Sequence, residues 1–235
     1  MDIQNLLSTN IRISNVSPLD TLAIWPANIE ISIFRIPIRK RDGYSLESVQ
    51  KLAKKLKTNT VKNGVVFIIC YAPNEDKARP FEVAKAFADE GFTHIDNIII
   101  EKSWLPGKRS ESNLVNSHEY VFHFCNGKVW KLDRLPIQEY LKLDESISCS
   151  GNLWKVETGS LEEAYPLDLA ELLIRMTDVL PGSMIFDPYM GTSASLLASL
   201  KLGHTFQGFE ANLSKIKKYK KIIEDHQKVI SDKQL

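Results

Sequence analysis

Three things are scarce in this 235-residue chain: cysteine, long apolar runs and glycine loops of the kind that cradle phosphates. Only Cys70, Cys125 and Cys149 occur, widely spaced. That excludes a disulfide scaffold and a cysteine-rich metal knuckle, and it suits a reducing cytoplasm. No run approaches the roughly 20 apolar residues of a membrane span. The Met1-Asp2-Ile3-Gln4 start does not read as a signal peptide. No G-x-G-x-x-G opens a helix and no Gly-Lys-Ser/Thr follows a turn, which sets aside the dinucleotide fingerprint and the P-loop. Charge of either sign is balanced, with 30 Lys and Arg against 29 Asp and Glu and a net charge of +1. Any contact with nucleic acid must therefore come from a local patch.

What is present reads as an ordinary globular α/β chain. Hydrophobic residues make up 43% and charged residues 25% of it, enough for one domain over residues 1–235. Strands are expected at Leu19–Ile24, Val65–Cys70, Ile95–Ile100 and Tyr120–Phe124. Helices are expected at Leu46–Leu56, with Val49, Leu52, Ala53 and Leu56 on one face, and at Pro80–Ala88, stopped by Gly91. Residues 125–160 read as polar and irregular. Alternation of this kind predicts a mostly parallel sheet covered by helices on both faces, a Rossmann-like architecture. The Lys-rich tail carries Leu213, Ile216, Tyr219 and Ile223 at helical spacing, which predicts an amphipathic helix with one wet face. His118 and His123 lack companions in a metal pattern and are assigned to the fold.

The most informative stretch is Ser183 to Glu210. Ser183-Met184-Ile185-Phe186 reads as a short buried strand that Asp187-Pro188 ends, because proline cannot donate to a sheet ladder. Gly191 permits a tight turn and a close approach to a ligand. Thr192, Ser193, Ala194 and Ser195 open a helix that runs through Ala198 and Leu202. Gly203-His204 stops it, and Thr205–Phe209 makes a second strand ending on Glu210. A strand, a tight turn, a helix, a strand and an acid in this order form the unit with which α/β proteins hold the ribose of a nucleoside cofactor.

At these residues the chain resembles the bacterial DNA amino-methyltransferases, which methylate adenine N6 or cytosine N4. Asp187-Pro-Tyr-Met-Gly-Thr-Ser is similar to that family's D-P-F-x-G-S-G motif, with Ser193 in place of the second glycine. Tyr165-Pro166-Leu167-Asp168-Leu169 resembles its H-P-x-x-x-P helix, with Tyr165 replacing histidine and the second proline missing. The resemblance implies S-adenosylmethionine as cofactor and a class I methyltransferase fold. It also implies cofactor contacts at Asp187, Pro188, Tyr189, Gly191, Thr192, Ser193, Glu210 and Pro166, with Glu210 on the ribose hydroxyls. Element order resembles the permuted class, with a catalytic half at 16–124, a short target-recognition-like segment at 125–160 and a cofactor half at 161–235. Leu56-Lys57, Gly64-Val65, Gly91-Phe92 and His118-Glu119-Tyr120-Val121 echo further family patterns in order.

The family's catalytic tetrapeptide, D/N/S-P-P-Y/F/W, is the part that departs. Its counterpart here is expected at Trp25-Pro26-Ala27-Asn28, where only Pro26 matches and neither the polar acceptor nor the aromatic is in its usual place. Trp25 and Asn28 read either as a swapped base-holding pair or as packing. Arg35, Arg39, Lys40 and Arg41, together with Lys102, Lys108 and Arg109, are candidate nucleic-acid contacts or a solvated face. Two functions follow: a DNA amino-methyltransferase with a divergent catalytic loop, or an inactive methyltransferase-like subunit. The second would bind nucleic acid, DNA as the resemblance implies, or support a catalytic partner or a second copy of itself.

Overall fold

The computed structural model describes residues 6–8, 11–21, 23–39, 43–73, 76–102, 117–128, 147–156 and 165–232. One sheet of ten strands carries the architecture: β1 (Leu6–Ser8), β2 (Ile11–Ser14), β3 (Ile29–Arg35), β4 (Thr60–Cys70), β5 (Thr93–Lys102), β6 (His118–Cys125), β7 (Ile147–Ser150), β8 (Leu153–Val156), β9 (Met184–Asp187) and β10 (Thr205–Phe209). Their spatial order is β1-β2-β10-β9-β3-β4-β6-β5-β8-β7. The centre is parallel: β2 with β10, β10 with β9, β9 with β3, and β3 with β4. The strands β1, β6 and β7 pair antiparallel with their neighbours. The mostly parallel sheet expected from the sequence is present, with β9 near its middle.

Both faces are buried, and side-chain alternation divides them. Along β4, Val65, Phe67 and Ile69 join one apolar cluster and Val66, Ile68 and Cys70 the other. The second cluster is covered by α1 (Leu46–Asn59) and α2 (Arg79–Asp89), through Val49, Leu52, Leu56, Val83 and Phe87. The first is covered by α3 (Leu167–Arg175), α4 (Ala194–Lys201) and α5 (Leu213–Asp232), through Leu169, Leu173, Leu196, Ile216 and Tyr219. Ser45 caps α1 by accepting the Ser48 amide at 3.1 Å, leaving one fewer orphan donor at the helix start.

Two expectations need correction. The described residues of Leu19–Ile24 form no strand. Pro18–Thr21 form turns, closed by Asp20 N–H to the Ser17 carbonyl and Ala23 N–H to the Asp20 carbonyl. Ser17-Pro18 and Asp20 carry turn chemistry that outweighs the short apolar run. The strand lies ten residues on, at Ile29–Arg35, where Ile29, Ile31 and Ile33 alternate with Glu30 and Ser32, and the β-branched pattern was legible. Part of 125–160 is regular: β7 and β8 form a hairpin whose second strand pairs with β5. Residues 129–146 and 157–164 lie outside the described residues.

The strand order reverses at β9. The β9-α4-β10 unit steps one way across the sheet, and the β3-α1-β4 unit steps the other way. A crevice opens beyond the carboxyl ends of β9 and β3, the usual ligand position in such a sheet.

Candidate cofactor and acceptor cavity

That crevice is a cavity of about 440 Å³. The turn after β9 lines one side with Pro188, Tyr189, Met190, Gly191 and Thr192. Glu210, Ala211 and Lys215 close a second side, and Val16, Ser17 and Pro18 lie at the end of β2. Opposite them stand Arg35, Ile36, Pro37, Ile38 and Arg39, which leave β3, and Tyr71, which leaves β4.

The turn is built around Asp187. Its carboxylate is fully buried, accepting the Tyr189 amide at 2.8 Å, the Ser195 hydroxyl at 2.5 Å and the Tyr165 hydroxyl at 3.3 Å. The first of these is an Asx turn, in which a side-chain oxygen imitates a backbone acceptor. Burial pushes the Asp187 pKa up to about 7, against the three hydrogen bonds that favour the charged form. Burial likewise raises Tyr165, and it raises Tyr189 to about 12. Asp187 therefore faces inward and shapes the turn.

Gly191 has φ +54°, and a Cβ there would meet only the Tyr189 carbonyl at an ordinary 3.5 Å. Glycine answers a backbone angle at this point, not a steric limit inside the protein. Ser193, at the position of the resembled motif's second glycine, also adopts a left-handed conformation, φ +72° and ψ +14°, and is buried.

Glu210 follows β10 at the cavity rim. Its Oε1 accepts the Asn212 amide at 2.9 Å, and its Oε2 accepts the Tyr219 hydroxyl at 3.2 Å, with Lys215 Nζ at 3.9 Å. An ionised carboxylate offers about four acceptor positions, so capacity for ligand hydroxyls remains. Asn15 holds the local backbone by donating to the Glu210 and Ala211 carbonyls at 2.9 and 3.0 Å. The sequence reading missed Asn15, Tyr219 and the Ile36-Pro37-Ile38 wall as parts of this site. Only the β-branched run ahead of Ile36-Pro37 signalled the last.

The remaining expected positions divide. Pro166 precedes α3 as its N-cap, next to Tyr165, which lines the cavity. Arg35 and Arg39 line it as well. Lys40, Arg41, Lys108 and Arg109 lie outside the described residues, as does the side chain of Lys102.

Trp25, Pro26 and Asn28 are elsewhere. They precede β3, and β3 runs parallel to β9 with Ile31 opposite Ile185. They therefore enter at the amino ends of the strands, while Gly191 leaves at the carboxyl ends. The expected counterpart of the tetrapeptide thus lies on the opposite edge of the sheet from the Gly191 turn. Trp25 lies on Phe186 and Phe209, with ring centroids 4.9 and 5.7 Å away, and donates its indole N–H to the Pro18 carbonyl at 3.2 Å. Lys55 Nζ sits 5.4 Å from its ring. Trp25 packs the sheet face, Pro26 is buried behind it, and Asn28 is exposed with φ +60°.

At the carboxyl end of β3, on the same edge as the Gly191 turn, the chain reads Ile36-Pro37-Ile38-Arg39. Ile36 and Ile38 are buried and have no polar side-chain atoms. The Ile38 carbonyl accepts the Arg79 guanidinium at 3.0 Å, and Tyr44 N–H donates to the Arg39 carbonyl at 3.3 Å. The segment is pinned from both sides.

The profile of the N6/N4 methyltransferase family, described as DNA methylase, matches residues 39–224. The chain belongs to this DNA methylase family. No curated protein matches its sequence. Among solved structures, the cytosine-N4-specific PvuII DNA methyltransferase is similar at 15% identity over 87% of this chain and 83% of its own, with a TM-score of 0.72. The M1.HpyAVI complex with SAM is similar at 17% identity over 83% of this chain and 88% of that one, TM-score 0.62. A putative DNA modification methylase of Thermus thermophilus, complexed with S-adenosyl-L-methionine, gives 17% identity, 82% and 86% coverage and a TM-score of 0.62. At these identities the likeness is one of fold: this family member has the methyltransferase architecture. Among the described residues no helix is long and apolar enough to cross a membrane, and no cluster of His, Cys, Asp and Glu is suited to a metal.

Proposed function

We propose that this DNA methylase family member binds S-adenosylmethionine between the Gly191 turn and Glu210 and engages nucleic acid. On this reading it transfers methyl groups poorly by itself and supports a catalytic partner or a second copy. One observation carries it: a single cavity joins the Gly191 turn and Glu210 to a wall made of Ile36-Pro37-Ile38. The donor set fits the cofactor. Glu210 keeps acceptor capacity for the ribose hydroxyls, and the turn presents Gly191 and Thr192 to the cavity.

When bound, S-adenosylmethionine supplies a methyl group on a sulfonium. The protein's contribution is positioning. Asp187 holds the turn through the Tyr189 amide, and Tyr219 donates to the Gly191 carbonyl at 2.6 Å, tying the turn to Glu210. Transfer to an exocyclic amine also needs a polar acceptor that orients the amine and an aromatic surface on the extruded base. Ile36 and Ile38 offer no such side-chain acceptor. On this reading Ile36-Pro37-Ile38-Arg39 is the counterpart of the tetrapeptide, with Arg39 in place of the aromatic.

Lys40, Arg41, Lys102, Lys108 and Arg109 are the proposed contacts to a nucleic-acid backbone, while Arg35 and Arg39 line the cavity itself. Binding through them would weaken steeply with salt, because each neutralised phosphate releases condensed counterions.

Calorimetric titration with S-adenosylmethionine, followed by radiolabel transfer to varied DNA and RNA, tests the proposal. Cofactor binding without robust transfer supports it. Efficient transfer by the purified chain overturns the inactive reading, and absence of cofactor binding overturns the whole.

A further inference from the structure

The acceptor end of the cavity has a chemical character of its own. Arg35 and Arg39 both place their guanidinium carbons over the Tyr71 ring, 5.1 and 5.2 Å from its centroid. Arg35 is also paired with Glu119 at 2.5 Å, and both side chains are about nine-tenths buried. At the cofactor end, Lys215 and Glu210 offset each other across 3.9 Å. Arg39 is different. Among the described residues no carboxylate pairs with it, although it lines the cavity and is half-buried.

Its position is fixed independently of any ligand. The Arg39 carbonyl accepts the Tyr44 amide, and the preceding Ile38 carbonyl accepts Arg79. Arg79 in turn lies over the Tyr44 ring at 5.2 Å. Stacking on an aromatic uses the face of a guanidinium and leaves its in-plane N–H donors for an oxyanion. The buried Ile36 and Ile38 beside it lower the local dielectric, which strengthens attraction to an anion.

We infer that the acceptor end of this cavity takes a phosphate monoester, held by Arg39 against the Tyr71 wall, in place of the neutral amine of an extruded base. The inference deepens the functional reading above and rests on it for the occupant of the other end. The phosphate would be that of a free nucleotide or of a strand terminus. A duplex backbone running over the surface does not enter a cavity of this size.

Titration calorimetry on the full chain, saturated with S-adenosylhomocysteine to block the nucleoside end, tests this with dAMP, deoxyadenosine, a 5′-phosphorylated single strand and a duplex without terminal phosphates. The expected result is at least tenfold tighter binding of dAMP than of deoxyadenosine. Arg39→Gln should abolish that preference while S-adenosylhomocysteine affinity stays unchanged, and Arg39→Lys should keep part of it. Comparison of the phosphorylated strand with dAMP then separates a strand terminus from a free nucleotide. Equal binding of dAMP and deoxyadenosine, or a preference that survives Arg39→Gln, overturns the inference. So does equal Arg39 dependence for the duplex without terminal phosphates. Loss of S-adenosylhomocysteine binding in Arg39→Gln overturns it too, by giving the guanidinium to the donor's own carboxylate. If S-adenosylhomocysteine fails to bind the parent chain, the cofactor reading fails. The dAMP and deoxyadenosine comparison on the free chain then still decides the anion.

Discussion

The Tyr219 hydroxyl lies 2.6 Å from the Gly191 carbonyl, so a side chain of α5 fastens the turn that follows β9. The same hydroxyl reaches Glu210 Oε2 at 3.2 Å, and thus one group spans both cofactor-side walls of the cavity. Burial and the neighbouring Glu210 carboxylate raise the Tyr219 pKa, so the hydroxyl stays protonated and able to donate. Tyr219→Phe should cost about 1–1.5 kcal/mol in stability and weaken cofactor binding by loosening the turn. Urea unfolding together with calorimetry checks both; an unchanged affinity would separate the latch from the site.

If Glu210 holds the ribose as proposed, Glu210→Ala removes charge-assisted hydrogen bonds each of about 1.5–3 kcal/mol. Cofactor affinity should fall by at least tenfold, with a smaller loss of stability from the Asn212 and Tyr219 contacts. Identical titration heats for variant and parent would place the cofactor elsewhere.

Asp187 sets a pH dependence. Its folded pKa of about 7 lies above the ordinary 3.8, so the folded state holds the proton more tightly than the unfolded one. The stability this confers is fully present below pH 3.8 and is lost as pH rises toward 7. Asp187→Asn keeps the acceptor for the Tyr189 amide and cannot titrate. The stability difference between variant and parent should therefore move in favour of the variant as pH rises between those two values. Parallel stability curves across that range would reject the assignment.

Ser193 holds a left-handed conformation that costs an L-residue roughly 1–2 kcal/mol. Ser193→Gly relieves this strain while adding backbone entropy to the unfolded chain, and a net gain of about 0.5–1 kcal/mol is expected. Chemical denaturation measures it. A loss of stability would show that the Ser193 hydroxyl, which donates to the Thr192 carbonyl, outweighs the strain.

Trp25→Ala should cost about 2–4 kcal/mol, since it removes ring contacts with Phe186 and Phe209. Cofactor affinity should be nearly unchanged, because Trp25 is not among the cavity-lining residues. A variant that stays stable but loses nucleic-acid or cofactor binding would restore Trp25 to the site.

Local pattern determined a good deal of this protein. The run from Met184 to Glu210 carries its own geometry: a short apolar strand, a proline that ends it, a glycine at positive φ, small residues opening a helix, and an acid after the next strand. Each of those acts over a few residues, through backbone sterics and period, and so can be read along the chain. The acceptor wall could not be read this way. Trp25-Pro26 and Ile36-Pro37 both place a proline after apolar residues. What separates them is which end of β3 they occupy, and that is set by pairing Ile31 with Ile185 and Val65. Only the assembled sheet decides that Arg39 meets Tyr71, that Arg79 takes the Ile38 carbonyl, and that Tyr219 closes on Gly191. Those contacts join residues far apart in sequence, where side-chain reach and strand register decide, and no local period encodes them.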